Sequence, residues 1–353
     1  MKNKTLVIIT WFLFIVLVYT RLAVRDLNPL WIDEINEISH LRSFSYLLYE
    51  YLPSIPGGVF SHYIIILPIN MLFPGNKFML SLPGFISCLL VFILIPKTIS
   101  SFHITSKKET EIASFFARLA FVFDPRLTYQ AIEIRPYSLL PLLWIISVIL
   151  ISKIISFDRQ SAKMKNIILL SLVTMFLWLW HIYGFIMSIF IYLFFILKSK
   201  IDKNILKHHR KSLVIILISL LSFIPIWIYF TRGSTNSNLN TFEFLEKYVR
   251  FINTVLNQGY IKGITWQNYF YLLMIFSFFC LVFFNTIYKV SRYLHYFYKM
   301  LFFLVIAPIV VIFLLDFIGE YWFLYRQFAW VNLPFYIAIG ILFSGLFKKR
   351  KIA

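Results

Sequence analysis

Long apolar runs recur along the whole chain, and nothing else constrains its fold as much. Stretches approaching the roughly 20 residues of a bilayer-spanning helix occupy residues 5–20, 78–96, 137–155, 166–182, 184–197, 212–231, 267–287, 299–317 and 329–346. In a lipid core every backbone N–H and C=O must find its partner within the chain, so such runs predict α-helices. Only 14% of the 353 residues are charged, against about 25% in a soluble domain. That balance excludes a soluble enzyme, a disordered chain and a collagen-like or coiled-coil rod, and it predicts an all-α polytopic membrane protein. No linker, repeat or change of composition interrupts the chain, so residues 1–353 read as a single membrane-embedded domain. Cys88 and Cys280 lie far apart inside apolar runs, which implies neither a disulfide framework nor a metal knuckle.

The net charge of +19 would suggest a nucleic-acid partner in a soluble chain. Here its distribution points to the lipid bilayer instead, because Lys and Arg are retained on the cytoplasmic side during insertion. Two shorter apolar runs decide the parity of the spans: 59–73, which contains Pro68, and 112–123, which contains Arg118. If 112–123 crosses and 59–73 lies along the outer surface, 22 of the 34 basic residues fall inside and 11 outside. If 59–73 also crossed, every later basic loop would move to the wrong side. The expectation is therefore ten spans with both termini cytoplasmic. Lys2 and Lys4 before an apolar run resemble a signal peptide, but Leu22-Ala23-Val24 is a poor cleavage site, so the first segment is expected to remain as an anchor.

This topology collects most of the acids on the outer face, in segments 21–77, 124–136, 232–266 and 318–328. The first segment carries Trp31-Ile32-Asp33-Glu34-Ile35-Asn36-Glu37 ahead of an amphipathic stretch. Adjacent carboxylates at a helix start can divide labour, one as a general base and the other as a metal ligand or orienting acceptor. The residues alone also allow Asp33 as an N-cap and Glu34 as a first-turn acid favoured by the helix dipole, and capping Asp residues are common. The second segment ends in Glu133-Ile134-Arg135-Pro136-Tyr137. Pro136 disfavours helix at Arg135 and can begin the next span, which holds the guanidinium at the membrane surface, where it can fork onto phosphate or carboxylate. A tether from Arg135 to Glu133 or Asp124 is the structural alternative.

The run Tyr129-Gln130-Ala131-Ile132-Glu133-Ile134-Arg135-Pro136-Tyr137, after an apolar helix ending in Asp124-Pro125, resembles the second-loop signature of the GT-C glycosyltransferases. More narrowly, it looks like the branch that contains dolichyl-phosphate-mannose protein mannosyltransferases and bacterial aminoarabinose transferases. The Asp33-Glu34 pair after the first span and the surface helix at 59–73 match the same pattern. The resemblance covers about the first 200 residues, and it implies a catalytic module over 1–200 followed by a variable transmembrane module over 201–353. It implies transfer of a sugar from a polyprenyl-phosphate carrier to a lipid, glycan or protein acceptor on the non-cytoplasmic face. Asp33 would act as general base, with inversion at the anomeric carbon. Glu34 would position the acceptor or, with Asp33, a divalent cation (Mg or Mn), since the family has metal-dependent and metal-independent members. Arg135 and Arg326 would hold the carrier phosphate, Glu133 would orient Arg135, and Tyr129 and Tyr137 would join the substrate contacts. The chain departs from the family where it has Ser54-Ile55-Pro56-Gly57-Gly58 before the surface helix and Ser81 entering the second span.

Other features carry two readings. His181 and Tyr183, and His62 on the surface run, could line a sugar pocket or belong to an interfacial aromatic belt. Residues 242–252 have one apolar face, which suits a helix lying on the membrane. Two other function classes fit a polytopic chain. A transporter would place its ionisable groups near the midplane, where this chain has only Arg118. An outer-face ligase or polymerase of lipid-linked glycans would not need Asp33-Glu34 coupled to Glu133-X-Arg135.

Overall fold

The structure, a computed structural model, describes residues 3–27, 32–52, 60–102, 106–156, 160–201, 300–319, 328 and 330–349. Arg326, the stretch 242–252 and the apolar runs 212–231 and 267–287 lie outside the described residues, as does the side chain of Asp33. The described residues are helical and contain no strand. In chain order they form α1 (Asn3–Leu27), α2 (Ile32–Ser39) and α3 (Phe44–Tyr46), which runs into a π turn at Leu47–Tyr51. There follow α4 (Phe60–Leu72), α5 (Lys77–Ser101), α6 (Lys107–Val122) and α7 (Pro125–Gln130). A 3-10 turn at Pro136–Leu139 leads into α8 (Leu140–Ser156), then α9 (Gln160–Trp180) and α10 (Ile182–Ile201). A π turn at Phe302–Ile306 opens α11 (Ala307–Gly319), and α12 (Asn332–Lys349) ends the described chain.

Among the described residues three segments, Thr5–Arg25, Lys77–Ser101 and Pro136–Ile154, are long and apolar enough to cross a membrane. At 1.5 Å per residue each reaches about 30 Å, the thickness of a hydrocarbon core. Shorter apolar helices occupy Lys165–Trp180, Tyr183–Phe194, Phe303–Leu314 and Asn332–Ile341. One continuous core links them, from Leu13 and Leu17 on α1 through Trp144 on α8 and Trp180 on α9 to Ile337 on α12. The described residues thus have the make-up of an all-α membrane protein.

Contacts between distant residues define one end of this bundle. Arg21 near the end of α1 bonds the last carbonyls of α6, Trp180 at the end of α9 bonds the Pro136 carbonyl before α8, and Asp124 after α6 bonds the start of α12. At the opposite end the Ser152 hydroxyl of α8 donates to the Ser101 carbonyl that closes α5. Helix α4 is only 13 residues long, about 20 Å. Both its ends meet the first of these two ends: His62 packs edge-on to Trp180 at 5.6 Å, and its last turn is followed within a few residues by the start of α5. It lies across that end rather than through the bundle. A second, smaller core of Leu41, Leu47, Leu52, Tyr63, Ile66, Leu67, Leu80 and Ile134 seals α2 and α4 onto it.

The cation on the short helix α6 is accommodated inside the bundle. Arg118 donates from Nε to the Phe92 carbonyl at 3.0 Å and lies 4.6 Å over the Phe92 ring, so α5 supplies both its acceptor and its cover. Helices α6 and α12 meet almost backbone to backbone, because a Cβ on Gly340 would stand 2.3 Å from the Ala113 carbonyl oxygen. Small residues allow such approaches between helices in lipid. Gly340→Ala is therefore expected to force the helices apart at a cost of about 1–3 kcal/mol, read as a lower thermal midpoint of the detergent-solubilised protein.

Candidate functional site

At the end just defined, α6 stops where Arg21 takes its terminal carbonyls. The Arg21 guanidinium is fully buried and donates to the Phe121 and Val122 oxygens, with the Phe121 ring 5.8 Å away. These carbonyls have no intrahelical donor left, and a cation is favoured beside them. The charge count begins the first outer segment at Arg21. The structure instead buries it, because α1 continues to Leu27 and carries the residue against α6.

Asp124 then opens α7 as an N-cap, with Pro125 in the first turn. Its Oδ1 accepts the Arg126 and Leu127 N–H groups at 2.7 and 3.0 Å. Its Oδ2 accepts the Asn332 amide at 2.9 Å and the Tyr336 hydroxyl at 2.8 Å, both from the first turns of α12. Burial pushes this carboxyl above the usual range, and the bonds from Asn332, Leu127, Tyr336 and Arg126 offset part of that rise.

The segment after α7 is short and tightly turned. The Tyr129 carbonyl accepts the N–H groups of both Ile132 and Glu133. Beyond it the pattern Ile132-Glu133-Ile134-Arg135 alternates apolar and charged residues. Ile132 and Ile134 are buried, while Glu133 and Arg135 remain half-buried. Arg135 itself is extended, as the following proline requires. Helix α5 passes close beneath, since a Cβ on Gly84 would lie 2.9 Å from the Ser138 hydroxyl and 3.1 Å from the Ala131 carbonyl.

Helix α2 grips this segment with two carboxylates one turn apart. Glu34, 2% exposed, accepts the Ile134 N–H at 2.9 Å and stands 3.6 Å from the Lys77 ammonium. Glu37 accepts from Arg135 Nη1 at 3.2 Å, and its second oxygen accepts the Tyr63 hydroxyl of α4. The Tyr51 hydroxyl lies 3.0 Å from that of Tyr63. The i, i+3 spacing puts both acids on one helix face. Because α2 begins at Ile32, Asp33 and Glu34 both sit in its first turn, where the helix dipole favours carboxylates.

The other wall comes from the end of α9. The Trp180 indole donates to the Pro136 carbonyl, and the His181 ring meets Tyr137 edge-on at 5.4 Å. His181 accepts the Tyr183 N–H on Nδ1 at 3.2 Å, which fixes the tautomer with its proton on Nε2. His62 completes the wall, with its Nε2 buried and without a hydrogen-bond partner among the described residues. Burial, then Arg135 and His181 nearby, pull the His62 ring down to about 3, and burial alone pulls His181 down to about 3. Both rings are held neutral.

Of the residues singled out from sequence, Glu34, Glu133, Arg135, Tyr129, Tyr137, His181 and His62 thus converge on one end of the fold. Asp33 joins them through its place on α2, and Arg326 lies outside the described residues. Glu37 holds Arg135, and no local rule in the sequence prefers it over Glu133 or Asp124. Asp124 is instead committed to α12. Tyr63, Tyr51, Asn332 and Tyr336 also escaped sequence reading, since each acts through a partner distant along the chain. As to a divalent cation, Glu34 faces an amide and an ammonium, which are donors an ion would have to displace. No three His, Cys, Asp or Glu among the described residues are placed to hold an ion together. Comparison of the chain with protein-family models, with curated proteins and with solved structures finds no match.

Proposed function

We propose that this chain is an integral-membrane glycosyltransferase that moves a sugar from a polyprenyl-phosphate carrier to an acceptor on the non-cytoplasmic face. In this reading it has a GT-C-like fold of about ten spans with both termini in the cytoplasm. The observation that carries it is the meeting of α2 with the Glu133–Arg135 segment: Glu34 on the Ile134 amide at 2.9 Å, and Glu37 on Arg135. A carboxylate helix and a phosphate-binding arginine, about 100 residues apart in sequence, face one another at one end of an apolar bundle. The charge bias supports the topology, since the segments that the positive-inside count puts outside supply Glu34, Lys77, Asp124 and Arg135, which gather there.

The chemistry is a single displacement. The acceptor oxygen attacks the anomeric carbon as its proton passes to Asp33, and the bond from that carbon to the carrier phosphate breaks. The bond electrons leave with the phosphate, and Arg135 stabilises the added charge. A donor dissolved in the bilayer suits a face that has no nucleotide-sugar pool.

The test is transfer of radiolabel from polyprenyl-phosphate sugars into membrane lipid and glycan extracts, by purified wild type and by Asp33→Asn. Wild-type transfer that disappears in Asp33→Asn is the expected result. Equal transfer by both would remove Asp33 as the base, and no transfer by the wild type from any donor supplied would overturn the assignment.

A further inference from the structure

Resting on that reading, we propose that Glu37 and Tyr63 are positioning residues for Arg135: the α2 carboxylate aims the guanidinium, and the α4 hydroxyl draws charge from that carboxylate so that Arg135 remains able to take a phosphate. Neither residue reaches the reacting atoms. Both act through the arginine.

Geometry carries the inference. A lone Arg–carboxylate pair is strongly attractive and tends to close on itself, which would compete with any phosphate. Here the carboxylate is divided. One oxygen of Glu37 faces Arg135 Nη1 at 3.2 Å, and the other is occupied by the Tyr63 hydroxyl. Tyr63 is 1% exposed and is fixed within the small core of Leu41, Ile66, Leu67 and Leu80, so its hydroxyl cannot swing away. Tyr51 packs edge-on to the Tyr63 ring at 5.3 Å and sets its own hydroxyl 3.0 Å from that of Tyr63, extending the chain of polar groups. Burial, and then the Glu37 charge, hold the Tyr63 phenol well above its usual range, so it remains a donor at every working pH. Three separate elements, α2, α4 and the turn after α7, are thus built around one guanidinium.

The test is binding of farnesyl phosphate, a short polyprenyl phosphate, to the full-length protein in detergent, followed by tryptophan fluorescence. Label transfer provides KM and kcat for the donor. Glu37→Gln preserves size and is expected to weaken farnesyl phosphate binding about tenfold and to raise donor KM by a similar factor, with little change in kcat. Tyr63→Phe, which removes one oxygen from a buried ring, is expected to weaken binding about threefold and carries the test if Glu37→Gln does not fold. In an Arg135→Gln background, Glu37→Gln should add less than a twofold effect, because its route of action is already gone. A Glu37 that served only the fold would instead lower the thermal midpoint and weaken both backgrounds equally, which would overturn the inference. Wild-type binding that Glu37→Gln and Tyr63→Phe leave unchanged would overturn it while the glycosyltransferase reading stands. A wild type that neither binds farnesyl phosphate nor transfers label would overturn both.

Discussion

Asp124→Ala is expected to destabilise the protein by about 4 kcal/mol and to loosen α12 from the site. The side chain accepts four hydrogen bonds and is fully buried. Loss of an N-cap costs about 1 kcal/mol, and each buried donor left without its acceptor costs a further 1–3 kcal/mol. Removing the buried carboxylate returns part of this, since burial disfavours its charged form. Asp124→Asn separates these effects. Its carbonyl oxygen can keep the cap on α7, its amide can face the Tyr336 oxygen, the Asn332 amide loses its acceptor, and the buried charge is gone, so a loss of about 2 kcal/mol, smaller than that of Asp124→Ala, is expected. Thermal unfolding in detergent gives the ranking, and limited proteolysis shows whether α12 is released first. If Asp124→Ala melts with the wild type, the contact between α7 and α12 contributes nothing to stability.

That contact also marks the limit of what one sequence conveys. The helices were legible because lipid leaves a chain no other way to satisfy its backbone, so run length translates into structure. The site was legible where a local rule applied. Pro136 forces Arg135 to be extended, Asp124-Pro125 is a helix start, and two acids one turn apart share a face. What remained hidden joins residues with no local rule between them. Nothing near Asp124 announces Asn332 or Tyr336, and nothing near Arg135 prefers Glu37 to Glu133. The burial of Arg21 was hidden for a related reason. A charge at the end of an apolar run suggests water, yet the last carbonyls of another helix take both of its terminal amines at full burial.

Acid should unfold this protein earlier than its carboxylates alone would dictate, and the cause lies in the wall of the site. His62 and His181 are buried and held neutral, each pulled from 6.5 to about 3. For each ring the folded value lies below the unfolded one. Above pH 6.5 neither state binds a proton and stability is complete. As pH falls from 6.5 towards 3 the unfolded chain gains protons that the fold refuses, so stability declines with pH across that window. At pH 5 each histidine has cost about 2 kcal/mol, or about 4 kcal/mol for the pair. Asp124 works in the opposite direction, because its raised carboxyl takes up a proton in the fold before the unfolded chain does. Asp124→Asn should therefore steepen the acid loss, whereas the double substitution His62→Gln and His181→Gln should flatten it to about 1 kcal/mol or less between pH 7.5 and 5. Gln at 181 keeps an acceptor within reach of the Tyr183 N–H, so the loop that carries Tyr137's partner has a route to remain in place. The measurement is the thermal midpoint of wild type and double variant in one detergent at a series of pH values. Parallel curves would mean that both rings gain their protons without leaving the fold, which would place them in contact with water rather than against Trp180 and Tyr137.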